Sequence, residues 1–228
     1  MKKRSKKLLP DLVPGPLPDI LFRDARYIVL NKPAGLAVHA GPGGGASVED
    51  LFPLLSRRRN GPWLAHRLDA DTAGCLVIAL TKTALMQGQN LFAGGKVEKI
   101  YWAVVTGAPA SDSGTVVAPL RKLTGRSGWH MVVDEAGQTA TSDWRVLGRG
   151  DGRALLEVRP RTGRTHQVRV HCAHLGCPVI GDAVYGAATK APLMLLARAI
   201  TLPVEPPLSA TAPPPDHMRA AVEALMGG

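Results

Sequence analysis

Between residues 100 and 158 five short runs rich in apolar and β-branched residues follow one another: IYWAVV (Ile100–Val105), TVVAPL (Thr115–Leu120), WHMVV (Trp129–Val133), TATSDWRVL (Thr139–Leu147) and ALLEV (Ala154–Val158). The segments between them carry Gly107, Gly125, Gly137 and Gly150-Asp151-Gly152, residues that serve turns. No helical pattern alternates with these runs as a parallel sheet would require. They therefore predict consecutive, mostly antiparallel strands.

The pattern extends in both directions. Upstream, Tyr27-Ile28-Val29-Leu30 reads as a buried strand closed by Asn31-Lys32-Pro33 and Gly35, and Cys75 to Leu80 as another. Ser47 can cap a helix running to Ser56 with Val48, Leu51, Phe52 and Leu55 on one face, and Lys82 to Phe92 has helical spacing ended by Gly94-Gly95. Downstream, a helix is expected from His166 to Leu175, with Thr165 as N-cap, Val168, Cys172 and Leu175 as its buried stripe, and Gly176 and Pro178 as its stop. Leu193 to Leu202 reads as a strand and Met218 to Met226 as a closing helix. The expected fold class is α+β: a mixed, mostly antiparallel β-sheet core with flanking helices. Residues 1–19, basic and proline-rich, read as an extension without fixed structure, and residues 20–228 as a single domain.

Composition narrows the function. The 228 residues include 28 Lys+Arg against 18 Asp+Glu, a net charge of +10, and 45% are hydrophobic, which excludes disorder along the whole chain. The positive surplus points to a polyanionic partner or to solubility charge. Three cysteines cannot all pair within one chain and fit a reducing cytoplasm. The basic start Met1-Lys2-Lys3-Arg4 is not followed by an apolar segment, since Pro10, Asp11, Pro14, Pro16 and Pro18 interrupt it, and no run reaches the ~20 apolar residues of a membrane span. A soluble, cytoplasmic monomer is expected.

Three constellations can carry chemistry. In His66-Arg67-Leu68-Asp69-Ala70-Asp71-Thr72-Ala73-Gly74, a carboxylate just before a buried strand can act as nucleophile or base, or Asp69 can simply cap a turn and pair with Arg67. Arg159, Arg161, Arg164, His166, Arg169 and His171, at and inside a helix start, can hold anions. Arg159 and Arg161 also read as a solvated basic turn; Arg164 is held between Gly163 and the helix. In Lys99-Ile100-Tyr101-Trp102-Ala103 the two aromatics point to opposite faces of a strand. Trp102 reads as core, and Tyr101 either as core or as a ring presented to a nucleobase. The Gly41-Pro42-Gly43-Gly44-Gly45 loop lacks the Gly-Lys-Ser/Thr ending of a phosphate loop, and the histidines and cysteines between His166 and Cys177 lack zinc-ligand spacing, so neither cofactor nor metal is expected.

Taken in order, these segments resemble the pseudouridine synthases, in particular the RluA branch that modifies bacterial ribosomal and transfer RNA. The resemblance runs from about Phe22 to the C-terminus. It rests on Leu30-Asn31-Lys32-Pro33-Ala34-Gly35-Leu36 with Val38-His39; on His66-Arg67-Leu68-Asp69 with Asp71-Thr72-Ala73-Gly74; and on Lys99-Ile100-Tyr101-Trp102-Ala103. Thr162-Gly163-Arg164-Thr165-His166-Gln167-Val168-Arg169-Val170-His171 and Gly181-Asp182 with Tyr185-Gly186 complete it. It implies the pseudouridine synthase fold without an appended S4 module. It also implies an RNA partner, a structured ribosomal or transfer RNA stem-loop rather than DNA or a membrane, and isomerisation of specific uridines.

By the same resemblance Asp69 is the catalytic aspartate, Arg67 enters the RNA where the uridine has flipped out, Tyr101 lies against the uracil, Arg164 pairs with Asp69, and Leu195 adds an apolar wall. Two departures stand out: Ala73 replaces the usual serine, and Leu196 occupies the position of histidine in a Leu-His-Ala segment. Both lie outside these roles, so altered shape rather than lost activity is expected. The competing classes are a non-catalytic RNA-binding or ribosome-assembly protein on the same fold, and a glycosidase-like hydrolase using Asp69 and Asp71.

Overall fold

The computed structural model describes residues 17–41, 44–57, 60–125, 128–187 and 189–227, so the basic stretch Lys2–Lys7 and the centre of the glycine loop at 42–43 lie outside the described residues. Among the described residues the strands form a ten-stranded sheet and a separate two-stranded ribbon. Along the sheet run β1 (Ile20–Arg23), β2 (Tyr27–Lys32), β4 (Ala73–Ala79), β11 (Leu195–Leu202), β5 (Glu98–Thr106), β10 (Arg153–Pro160), β9 (Thr141–Gly150) and β6 (Ser113–Val117). β3 (Trp63–Leu64) pairs with β4, and β12 (Leu208–Thr211) with β11. Every pairing is antiparallel except β4 with β11, so the sheet is mixed and mostly antiparallel, as expected.

The run Thr115–Leu120 does not stay in one strand. Pro119 has no N–H to give to a ladder, and the chain leaves the main sheet after Val117. It then forms the ribbon, β7 (Leu120–Gly125) paired with β8 (Gly128–Val133). β1, β3 and β12 are short strands that the sequence pattern did not mark.

Alternate residues of the central strands feed different layers. Val104 and Leu155 join the cluster covered by α2 (Lys82–Ala93) and α4 (Asp216–Met226), through Ala84, Met218, Val222 and Leu225. Ala103, Leu156 and Val158 face the other way, against Val168 and Cys172 of α3 (Gln167–His174). On that second face a further cluster forms under the 48–55 segment, a 3-10 turn (Val48–Leu51) followed by α1 (Phe52–Leu55) where one helix was expected. Tyr101 packs against both clusters of this face and so lies at their seam. α4 reaches the sheet closely enough that a Cβ on Gly148 would stand 1.6 Å from Leu225 O, so only glycine fits there.

α3 starts one residue later than expected. His166, not Thr165, is its N-cap, with φ of 54°, a left-handed backbone that a non-glycine residue adopts at a cost. Gln167 accounts for the shift. Its Oε1 accepts from Arg164 N at 2.9 Å and Thr162 Oγ at 2.7 Å, while its Nε2 donates to Thr141 O and Ser142 Oγ at 3.0 Å. The helix start is thereby tied into β9 rather than capped from Thr165.

His66 performs a related task before β4. Its Nε2 accepts the Val77 N–H at 3.0 Å, just beyond the Ala65 N–H to Val77 O bond, and its ring stacks on Phe92 of α2 with centroids 4.6 Å apart. Burial, aided by the nearby Lys99 charge, holds its pKa down to about 3, so the ring is neutral and able to accept. The unfolded chain takes up a proton below about pH 6.5 that the folded chain refuses until about pH 3, so stability falls as pH drops through that window. Urea unfolding between pH 7 and pH 4.5 is expected to show a loss of up to about 1.4 kcal/mol per pH unit that His66→Gln flattens.

The parallel contact between β4 and β11 explains the two departures together. Leu196 stands in register with Ala73, both essentially buried in the same cluster. The two positions at which the sequence departs from the resembled pattern thus face each other here as an apolar pair, alanine opposite leucine. Leu196→His by itself is expected to cost about 1–3 kcal/mol by burying an unpartnered imidazole. Adding Ala73→Ser should restore part of this, read as a coupling energy of at least about 0.5 kcal/mol in a urea double-mutant cycle.

Candidate active site

The loop carrying Asp69 is held from below by a buried lysine. Lys32, at the end of β2, is 0% exposed, and its ammonium donates to Pro33 O at 2.8 Å, Leu36 O at 2.8 Å and Ala70 O at 2.7 Å, using all three N–H bonds. Burial lowers its pKa to about 8, against the opposing pull of Asp71 and Asp69. Gly35 N donates to the same Ala70 O at 3.0 Å, and Thr72 N to Asp69 O at 3.2 Å. Leu68 is buried under the loop in the cluster containing Leu30 and Leu76. These bonds leave the Asp69 side chain as the part of the loop free to act; it is 24% exposed.

The partner of Asp69 is Arg169, not Arg164. Arg169 Nη1 lies 3.3 Å from Asp69 Oδ2, while its Nε and Nη2 donate to the two oxygens of Asp182 at 2.7 and 2.8 Å. Arg164 is exposed, with Nε donating to Thr139 O at 3.1 Å. Arg164 precedes the helix and its backbone is held by Gln167, whereas Arg169 lies inside α3 and projects toward the Asp69 loop. Burial raises the pKa of Asp182, but Arg169 and the amides of Tyr185 and Val184 outweigh it and hold the carboxyl below its ordinary value. Asp182 is fully buried, and its bidentate grip fixes the plane of the guanidinium.

On the other side of Asp69 stands His166, with Nε2 3.7 Å from Asp69 Oδ1. Tyr185 OH lies 2.7 Å from His166 Nδ1 and accepts the Met131 N–H at 3.0 Å. With the phenol donating to Nδ1, the ring is the Nε2–H tautomer and turns a proton toward Asp69. Burial lowers the His166 pKa, and Arg169 adds to the effect against Asp69 and Asp182, which favours a neutral ring.

Tyr101 comes to the same face from β5. Burial first, and then the Asp69 and Cys75 charges, push its phenol above the ordinary value, so it remains protonated. Leu195, in register with Ala103, is 2% exposed and belongs to the cluster against which Tyr101 packs; it supports the tyrosine from within the core. Arg67 is exposed on the Asp69 loop with no ion-pair partner among the described residues. Of the expected anion-binding arginines, Arg159 pairs with Glu157 at 2.9 Å and Arg161 with Asp143 at 2.6 Å, so their charges are answered on the sheet itself. Among the described residues no group of three or more His, Cys, Asp or Glu side chains is placed to hold a metal ion, and no helix is long and apolar enough to cross a membrane.

The arrangement offers a carboxylate braced by a buried guanidinium, a neutral phenol beside it and an exposed arginine on the same loop. Lys32, His166, Arg169, Asp182 and Tyr185 lie within the sequence motifs, but the motifs do not mark these tasks. A signal for Arg169 was present: an arginine within the apolar, valine-rich run of a helix is buried only if a carboxylate meets it.

Comparison with known proteins supplies the family and the fold. Residues 26–174, well over half the chain, match the model of the RNA pseudouridylate synthase family. An uncharacterized RNA pseudouridine synthase of Zymomonas mobilis is 41% identical over 171 residues, covering 74% of this chain and 78% of its own length. A ribosomal large subunit pseudouridine synthase D of Xylella fastidiosa is 40% identical over 189 residues, 80% of this chain but 56% of that protein, so against this relative the chain spans little more than half the length. Human RNA pseudouridylate synthase domain containing 4 superposes with a TM-score of 0.77 at 28% identity, over 90% of this chain and 91% of that one. The mixed, mostly antiparallel sheet is thus the fold of known pseudouridine synthase domains, and the chain belongs to the RNA pseudouridylate synthase family.

Proposed function

We propose that this chain isomerises uridine to pseudouridine in structured RNA, with Asp69 as the catalytic carboxylate, and that residues 20–228 act as the catalytic domain. The observation that carries the reading is the Asp69–Arg169–Asp182 chain of charges beside Tyr101, in a member of this family. The name of the Xylella fastidiosa relative points to ribosomal RNA as the substrate class; a transfer RNA stem-loop is the second candidate. A monomer working in the cytoplasm is the proposed state, and three free, buried thiols fit that compartment.

In the reaction uracil leaves C1′ of its ribose, turns over and returns through C5. The target must leave the RNA stack, at a cost of a few kcal/mol. Tyr101 against the flipped base, worth about 1–3 kcal/mol, offsets much of that, and Arg67 enters the vacated space. Asp69 then attacks C1′ or removes the C2′ proton as the N1 bond breaks. Arg169 steadies the carboxylate before that step and when it is released again. After C5 bonds to C1′, the C5 proton leaves to solvent while N1 gains one. Tyr101 stays a neutral phenol, so it brings no second negative charge against the carboxylate. Because Asp182 holds Arg169 at two points, the carboxylate meets the sugar in one fixed geometry rather than in an ensemble. A non-catalytic RNA-binding role leaves this partly buried chain of charges without a task.

Asp69→Asn is expected to abolish tritium release from RNA labelled at uracil C5 while leaving RNA affinity within about threefold. Normal release by this variant would remove Asp69 from its role. Asp182→Asn keeps the shape but loosens the guanidinium, so kcat should fall about 100-fold with little change in KM, measured by single-turnover tritium release beside a thermal melt to confirm folding.

A further inference from the structure

The ribbon of β7 and β8 presents an aromatic ring beside the catalytic network that the steps above leave unused. Trp129 is 45% exposed. One face of its indole stacks on His166, with centroids 5.1 Å apart and planes 26° from parallel. His166 in turn stands 3.7 Å from Asp69, so a single side chain separates the indole from the catalytic carboxylate. The Lys122 ammonium lies 4.5 Å from the indole centroid. Lys122 pairs in register with Met131, and Thr124 with Trp129, so Lys122 and Trp129 share one face of the ribbon.

The root of the ribbon is anchored. Leu120 and Met131 are buried with Ala140 and Val170, Tyr185 packs on them, and the Tyr185 hydroxyl takes the Met131 N–H. Trp129 lies two residues beyond that anchor, next to the exposed Thr124 and Gly128. One face of the indole is already fixed by a ring that belongs to the site, and 45% of the residue remains open to solvent. The fixed orientation lowers the entropy lost when a second ring stacks on it.

We propose that Trp129 and Lys122 form a subsite for an unpaired nucleotide adjoining the target uridine, the base stacking on the indole and the ammonium moving to its phosphate. The inference rests on the synthase reading for the identity of the neighbouring uridine. A lysine resting over an exposed ring is weakly held, whereas a stacked base keeps the ring contact and gives the ammonium an anion, so the exchange favours the nucleotide. The net charge of +10 makes RNA the fitting occupant. Among the described residues of the ribbon, Arg121 pairs with Asp134 and Lys122 is the cation over the indole.

The test uses the full chain with two probes of equal charge, a short oligouridylate and an abasic ribose-phosphate oligomer of the same length. Oligouridylate is expected to quench tryptophan emission, the abasic oligomer to leave it unchanged, and Trp129→Phe to abolish the quench while still binding. Trp129→Ala should weaken oligouridylate binding about tenfold by fluorescence anisotropy and leave the abasic oligomer unaffected. Lys122→Met should lower the salt slope of binding by about one. On unmodified ribosomal RNA transcripts Trp129→Ala should raise KM about tenfold with kcat retained. Equal quenching by both probes, a quench that survives Trp129→Phe, or a fall in kcat at constant KM, as a role confined to steadying His166 would give, overturns the subsite. If the wild-type chain releases no tritium from any ribosomal or transfer RNA transcript, it is the synthase reading that fails, and the quench still decides the subsite.

Discussion

A guanidinium shared between two carboxylates holds the site together. Arg169 is nearly buried, and a buried cation is tolerable only where its donors are met. Asp182 meets Nε and Nη2 at 2.7 and 2.8 Å, which leaves Nη1 for Asp69 at 3.3 Å. The Asp69 loop, α3 and the segment after Gly181 are therefore coupled through one side chain. The Asp182 oxygen that accepts from Arg169 also accepts from Val184 and Tyr185, which fixes Tyr185, and through its hydroxyl His166 and the base of the β7–β8 ribbon. The position of an exposed tryptophan is in this way linked to the position of the Asp69 carboxylate.

The second support acts on the backbone instead of the charge. Lys32 and Gly35 converge on Ala70 O, so the turn that presents Asp69 is tied to the end of β2. His66 ties its other end to β4 at Val77 N. With both ends of the loop tied, the Asp69 carboxylate is held near enough to Tyr101, at the seam of the α3 layer and the 48–55 layer, for its charge to raise the phenol's pKa. The site lies where the two layers on one face of the sheet fail to meet, and the sheet itself, through β5, supplies its floor.

Charge is partitioned along the same lines. Arg145 and Arg159 converge on Glu157, Arg161 on Asp143 and Arg149 on Asp112, so part of the basic surplus is spent within the protein. Arg67 and Arg164 remain exposed near the site. Net charge alone does not distinguish these groups; their carboxylate neighbours do.

The strand pattern, the positions of most elements and the candidacy of Asp69 and Tyr101 for the proposed site were legible in the sequence. They depend on local periods, on turn glycines and on short motifs, all of which survive in one dimension. The pairing of Asp69 was not. Arg164 and Arg169 are five residues apart, and which of them turns inward depends on the register of α3, set by Gln167 reaching into β9 at Thr141 and Ser142. The expected Thr165 cap failed for the same reason. Nor could the sequence show that Ala73 and Leu196 are neighbours, since residues so far apart in the chain meet only through the parallel contact of β4 and β11. Sequence alone determined which chemical groups are present and which local structures carry them. The tertiary structure decided which charges face one another, because a buried ion is placed by the partners that long-range packing brings to it.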